Sequence, residues 1–242
     1  TTGIPAYVPS GINNMQQMFS GDSNFNGDLS LWDTSSVTRM TSMFRDVHAF
    51  NNNGQAGIGN WDTSNVTFMD NMFRASSSTA GVFNQDISGW NTSNVTTMNG
   101  LFSYQNAFIQ PIGFWDTSNV SDMSQMFTAR NSDSPTTLVR NVRLWDVSNV
   151  STFTNMFSEA DGFDAVFNGV TGYGATPTAD FFNAQFLLVT FTGVPANTTL
   201  SVPLADATSM NTTGAGVDAV IWNTPTTETI SEFVTGQEFP TY

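Results

Sequence analysis

The sequence predicts an α/β repeat solenoid, with a short helix and a short parallel strand per unit, followed by a small all-β C-terminal domain or cap. Three observations carry that prediction. The stretch WDTSNVTFMDNMF at Trp61 to Phe73 returns as WDTSSVTRMTSMF at Trp32, WNTSNVTTMNGLF at Trp90, WDTSNVSDMSQMF at Trp115 and WDVSNVSTFTNMF at Trp145, and a headless copy, NNMQQMF, opens the series at Asn13. Between copies runs a second pattern, Phe-Asn-x-Asp-Ile-x-x-Trp, clearest at Phe25 to Trp32 and Phe83 to Trp90. Near residue 170 both patterns stop and a Thr-, Val-, Phe- and Pro-rich stretch begins.

Residues 1–12, with two prolines and two glycines, read as an extended lead-in that caps the first repeat. The solenoid occupies 13–169, in five to six units. Within each unit, Val-x-x-Met-x-x-Met-Phe (Val66, Met69, Met72 and Phe73) has offsets of 0, 3, 6 and 7, which place the apolar residues on one helical face. The preceding Asp-Thr-Ser-Asn offers N-caps for that helix. It is about two turns long, too short to stand alone in water. A branched aliphatic residue stands three before each repeat tryptophan (Leu29, Ile58, Ile87, Ile112 and Val142), and this half of the unit reads as a short strand and turn. One unit buries apolar side chains worth on the order of 10–20 kcal/mol. Ordering its chain costs roughly 25–50 kcal/mol. A single unit therefore cannot fold, and neighbours must cover both its faces.

Successive tryptophans at 32, 61, 90, 115 and 145 are separated by 29, 29, 25 and 30 residues, so the shortest interval is the basic unit and the others carry insertions. These fall at 51–57, 74–82 and 128–137 and are rich in Ser, Thr, Asn and Gly, as surface loops are. Residues 170–179 read as a linker to a β-rich part at 180–242. Its expected strands are 186–192, 198–202, 217–222 and 229–234.

Composition narrows the function. The chain has 20 acidic and 6 basic residues, a net charge of −14, no lysine and no cysteine. That charge repels phosphate, which argues against nucleic acid and anionic membranes as direct partners. Without cysteine there is no disulfide, thiolate nucleophile or zinc–thiolate site. No apolar run reaches the roughly 18–20 residues that span a bilayer. The sequence begins Thr-Thr-Gly, which reads as a mature form or fragment from which a signal peptide has been removed.

The repeat WDTSNVTxMxxMF, followed by FNQDISGW at 83–90, resembles the bacterial surface-protein repeat of about 25 residues known as DUF285, the lipoprotein-associated repeat grouped with the BspA-like leucine-rich-repeat surface proteins. The resemblance covers about 13–169 and rests on five consecutive copies. It implies a leucine-rich-repeat-like fold, an extracellular or cell-surface location, an adhesion or interaction role and no catalytic residues.

The residues that invite a chemical role are better explained by their repeat positions. His48, the only histidine, has no Gly-x-Ser-x-Gly elbow to serve and reads as structural. Asp33, Asp62, Asp116 and Asp146, with Asn91 in the same place, could form a Ca²⁺ ladder but read as caps, since Asn caps equally well. Asp28 and Asp86, with Gln55 as a third member, are too sparse for a metal array. Trp32, Trp61, Trp90, Trp115 and Trp145 could stack on sugars but read as a buried spine, and the repeat methionines as core. Asn65, Asn94, Asn119 and Asn149 match the glycosylation sequon simply as repeat consensus, and Asn197 and Asn211 match it elsewhere. The prediction therefore assigns no catalytic, cofactor or metal residues. It gives a non-enzymatic extracellular protein that binds a protein or glycan on another surface through its array and loops. The alternatives are a self-associating structural building block, or decoration or appendage protein, of a virion or surface filament, and a carbohydrate-binding module.

Overall fold

The computed structural model describes residues 11–76, 78–129 and 142–182, together with five strands further on. The chain divides into two units, 1–182 and 183–242. Most of the predicted lead-in and residues 130–137 of the third insertion lie outside the described residues.

The first unit is a stack of repeats, but not the α/β solenoid the sequence predicts. No copy of Val-x-x-Met-x-x-Met-Phe is helical, and among the described residues of this unit no strand forms. The predicted helix is instead a chain of tight turns. In the Trp32 repeat the amides of Met43, Arg45 and Val47 donate to the carbonyls three residues back, on Met40, Ser42 and Phe44. The alternate amides of Met40, Ser42, Phe44 and Asp46 donate sideways to Phe68, Asp70, Met72 and Arg74 of the next repeat.

Backbone conformation explains why a helix is excluded. The second of the two residues between the paired core positions has positive φ in every copy: Gln17, Ser42, Asn71, Gly100, Gln125 and Asn155. It is the third residue of its turn, where a type II turn requires positive φ and an α-helix forbids it. A spacing of three carries apolar residues inward on successive tight turns as well as on a helix. The pattern identified the buried residues correctly and misassigned the backbone.

The parallel pairing also lies in the other half of the repeat from the one expected. Isolated parallel bridges link Asn14, Arg39, Phe68, Thr97, Asp122 and Thr152, all inside the segment predicted to be helical. The segment predicted as a strand forms turns, with Trp61, Trp90 and Trp115 amides bonded to the carbonyls of Ile58, Ile87 and Ile112. Each bridge is a single residue pair, and the further bonds between repeats come from alternate amides of the turns, so the pairing is a ladder of bridges and not a sheet.

The interior holds regular columns of aromatic rings. Phe44, Phe73, Phe102, Phe127 and Phe157 stack with centroids 5.5–5.9 Å apart. Phe50, Phe83 and Phe108 form a second column, at 5.9–6.0 Å, and each ring lies face to face with one of the first at 3.8–4.0 Å. The array methionines other than the 39%-exposed Met18 fill the space beside them and are buried. At the far end, α1 (Asp161–Phe167) and residues 170–182 cover the last rung. Phe157 donates its amide to Ala175, and the Asn155 amide donates to the Thr176 hydroxyl. Arg143 Nε donates to the Phe181 carbonyl at 2.9 Å. Tyr173 donates to Asp164 at 2.7 Å; burial, reinforced by that carboxylate, pushes its hydroxyl well above the ordinary phenol range.

The second unit contains β1 (Phe186–Thr190), β2 (Leu200–Val202), β3 (Ser209–Gly214), β4 (Val217–Trp222) and β5 (Glu228–Ile230). One sheet has the order β1–β3–β4, parallel then antiparallel, and β2 pairs with β5 antiparallel.

Candidate interaction surfaces

The residues repeated in every copy are occupied by the scaffold. Asp33, Asp62, Asp116 and Asp146, and Asn91 in their row, each accept the amide of the serine two residues on, at 2.9–3.1 Å. They cap turns, not helices. The serine hydroxyl and amide hold Asp33 and Asp62 below the ordinary carboxylate range, and the amide leads in doing the same for Asp146. Asp28 and Asp86 bond Ser30 and Ser88 in the same manner. Gly57, four before Trp61, occupies that register where Gln55 was expected; a side chain there would run into Ser30. Among the described residues no three acidic or histidine side chains gather as a metal site needs.

The five array tryptophans are between 2% and 8% exposed, so no sugar can stack on them. The indoles of Trp61, Trp90 and Trp115 are parallel at 6.1 and 6.5 Å. Trp61, Trp90, Trp115 and Trp145 each donate Nε1 to a carbonyl one repeat back, on Leu29, Ile58, Ile87 and Ile112, at 2.9–3.2 Å. The sequon asparagines serve a similar end. Asn65, Asn94, Asn119 and Asn149 are exposed and donate Nδ2 to the carbonyls of Ser35, Ser64, Ser93 and Ser118 at 2.6–2.8 Å.

Sequence reasoning missed two further rows. Thr34, Thr63, Thr92 and Thr117 are buried, and each donates its hydroxyl to the next repeat's backbone at 2.9 Å. Asn26, Asn51 and Asn84 accept the amides of Asn51, Asn84 and Ile109, one per step. Recurrence of Thr two residues after Trp was a legible signal for the first row, but polar type argued for the surface.

What remains unspent is where the copies differ. In the insertion at 51–57, Asn52 is buried: its Oδ1 accepts the Leu29 amide at 2.7 Å and its Nδ2 donates to the Gln55 carbonyl at 2.6 Å. Residues 53–56 are exposed beyond that anchor. The insertion at 74–82 is pinned at both ends, by Ala75 donating to Ser103 and by Gly81 and Val82 donating to Tyr104 and His48. A Cβ at Gly81 would displace the Gln105 carboxamide, which accepts the Phe83 amide. Ser78, Thr79 and the 49%-exposed Val82 face solvent. His48 does not stand alone as a structural residue of its own repeat. Its Nε2 lies 3.0 Å from Ser76 Oγ, inside the inserted loop.

The outward bridge row also varies from copy to copy. Arg39 stacks over Phe68 at 4.0 Å, Asp70 accepts from Thr41 and Thr97, and Asn99 donates to Asp122. No helix among the described residues is long and apolar enough to cross a membrane. No curated protein and no solved structure matches the chain. A family model described as "Mycoplasma protein of unknown function, DUF285" matches residues 1–81 and 75–184, some three quarters of the chain. On that match, and on the repeat that produces it, the chain belongs to the DUF285 family.

Proposed function

We propose that this is a non-enzymatic protein displayed outside the cell, where it binds a protein or glycan on another surface through the inserted loops and the variable outward row. The observation that supports this reading is the division of labour among its residues. Every residue type shared by the copies has a bond or a packing role within the stack, whereas the loops add exposed groups on anchored backbone. An anchored loop presents its side chains with little ordering left to do on binding. The Asp rows, being turn caps, and the Trp spine, being buried, take no part in recognition.

The test is a screen of the whole chain against arrayed glycans and surface proteins, repeated with altered loops. Deleting all of 74–82 would remove the buried Ala75 and the Gly81 contact, so the change must be confined to the tips. Replacing Ser78, Thr79 and Val82 with glycine, and separately Asn53 to Ala56, is expected to abolish binding with an unchanged unfolding midpoint. Binding that survives both replacements refutes the role given to the loops.

A further inference from the structure

An outward residue stands on either side of each buried methionine that opens the repeat's tight turns. Arg39 and Thr41 flank Met40, Phe68 and Asp70 flank Met69, and Thr97 and Asn99 flank Met98. The bridges from Arg39 to Phe68 and from Phe68 to Thr97 set these pairs one beside the next. The six residues form a tile two residues wide and three repeats long, and all are half-buried.

Two opposite charges share the tile without meeting. The Arg39 guanidinium lies over the Phe68 ring at 4.0 Å and makes no ion pair with Asp70. Its N–H groups form a rigid fork of donors, and no acceptor among the described residues takes one. Asp70 accepts the hydroxyls of Thr41 and Thr97 at 3.3 and 2.5 Å, one on each carboxylate oxygen. An ionised carboxylate has about four acceptor sites, so it keeps room for further donors. Both threonines have turned their protons to Asp70 and present lone pairs. A set of donors thus stands beside a set of acceptors. The arrangement occurs once: Asn14 and Gln16, Asp122 and Ser124, and Thr152 and Thr154 hold these positions in the other repeats, with no cation among them.

We propose that this tile binds a neutral glycan, whose neighbouring hydroxyls bridge Arg39 and Asp70; the proposal rests on the reading of the outward row given above. Charge selects the class. An anionic group would pair with Arg39 but is opposed by Asp70 and by a chain of net charge −14. A cationic group would pair with Asp70 but is opposed by Arg39. A sugar hydroxyl both accepts and donates, so adjacent hydroxyls satisfy the guanidinium and the carboxylate with no charge left over. A protein partner would need apolar or aromatic anchors. The exposed large apolar side chains among the described residues, Met18, Leu31, Val82 and Phe114, all lie off the tile. Phe68 itself is covered by Arg39, so its ring holds the fork in place and does not stack on the sugar. A fork fixed in advance loses less freedom on binding.

The experiment measures retention of the whole chain on immobilised mannan, β-glucan and galactan, which are neutral, and on anionic polygalacturonate and cationic chitosan. Retention is expected on a neutral glycan and on neither charged one. On that glycan Arg39→Gln and Asp70→Asn should each weaken binding about tenfold or more, as loss of a charge-assisted bond does. Phe68→Leu, which frees the guanidinium, should weaken it about threefold. Urea unfolding of each variant separates a lost contact from a lost fold, and Arg39→Gln, which has no hydrogen bond within the array to lose, keeps the test decisive if Asp70→Asn unfolds. Absence of retention on every neutral glycan overturns the tile, as does retention that survives Arg39→Gln. A protein ligand, or a glycan held by the loop tips alone, also overturns the tile and leaves the wider reading standing. Retention that needs Arg39 and Asp70 but not the loop tips supports the tile and removes the loops from that reading.

Discussion

Thr34, Thr63, Thr92 and Thr117 show how a small polar residue supports an array. These residues are buried, and the hydroxyl of each bonds a backbone carbonyl of the next repeat. Thr63→Val keeps the shape and removes the donor, and is expected to cost about 1–2 kcal/mol in urea unfolding. The aspartates above them are exposed and contribute less individually, but they give the stack a pH dependence. Hydrogen bonds from serine lower the folded-state values of Asp28, Asp33 and Asp62, and of Asp146 with the Ser148 amide as the larger cause. A lowered carboxylate stabilises the fold in full above the unfolded value of about 4, and that contribution is lost as pH falls through the folded value. The urea midpoint should therefore hold near neutrality and decline below about pH 4, with a shallower decline in Asp62→Asn.

At the scale of the element, the turn-built rung makes predictions that a helix would not. Gly100 has φ +60°, and a Cβ there would lie 2.5 Å from Asn71 Oδ1. Gly100→Val therefore combines a disfavoured backbone with a collision and should destabilise by about 2 kcal/mol or more. Gln125 occupies the same position one repeat on, with φ 57°. Gln125→Gly should be neutral or stabilising there, although the same change inside a helix costs up to about 1 kcal/mol. Paired urea titrations of the two variants check both signs. The far-UV circular dichroism spectrum should likewise lack the double minimum of a helical protein, since α1 is the only α-helix among the described residues.

At the scale of the whole molecule, the array is one aromatic and methionine core, closed at its far end by α1 and Phe181. The five array tryptophans should resist acrylamide quenching in Trp222→Phe, which removes the one tryptophan of the second unit. Strong quenching in that variant would reopen the sugar-stacking reading. The sequence by itself determined the repeat, its register and its buried residues, because apolar spacing reports which side chains leave water whatever backbone carries them. It also determined that Asp, Trp and Met are scaffold, because each recurs in step with the unit. Only the tertiary structure decided the backbone. Offsets of 0, 3, 6 and 7 suit a helix and a spiral of turns alike, and the choice fell to amides that find acceptors on the neighbouring repeat instead of four residues back. The same neighbours drew the threonines inside and brought His48 to Ser76. Those contacts join residues some 28 positions apart, and a local pattern contains no record of them.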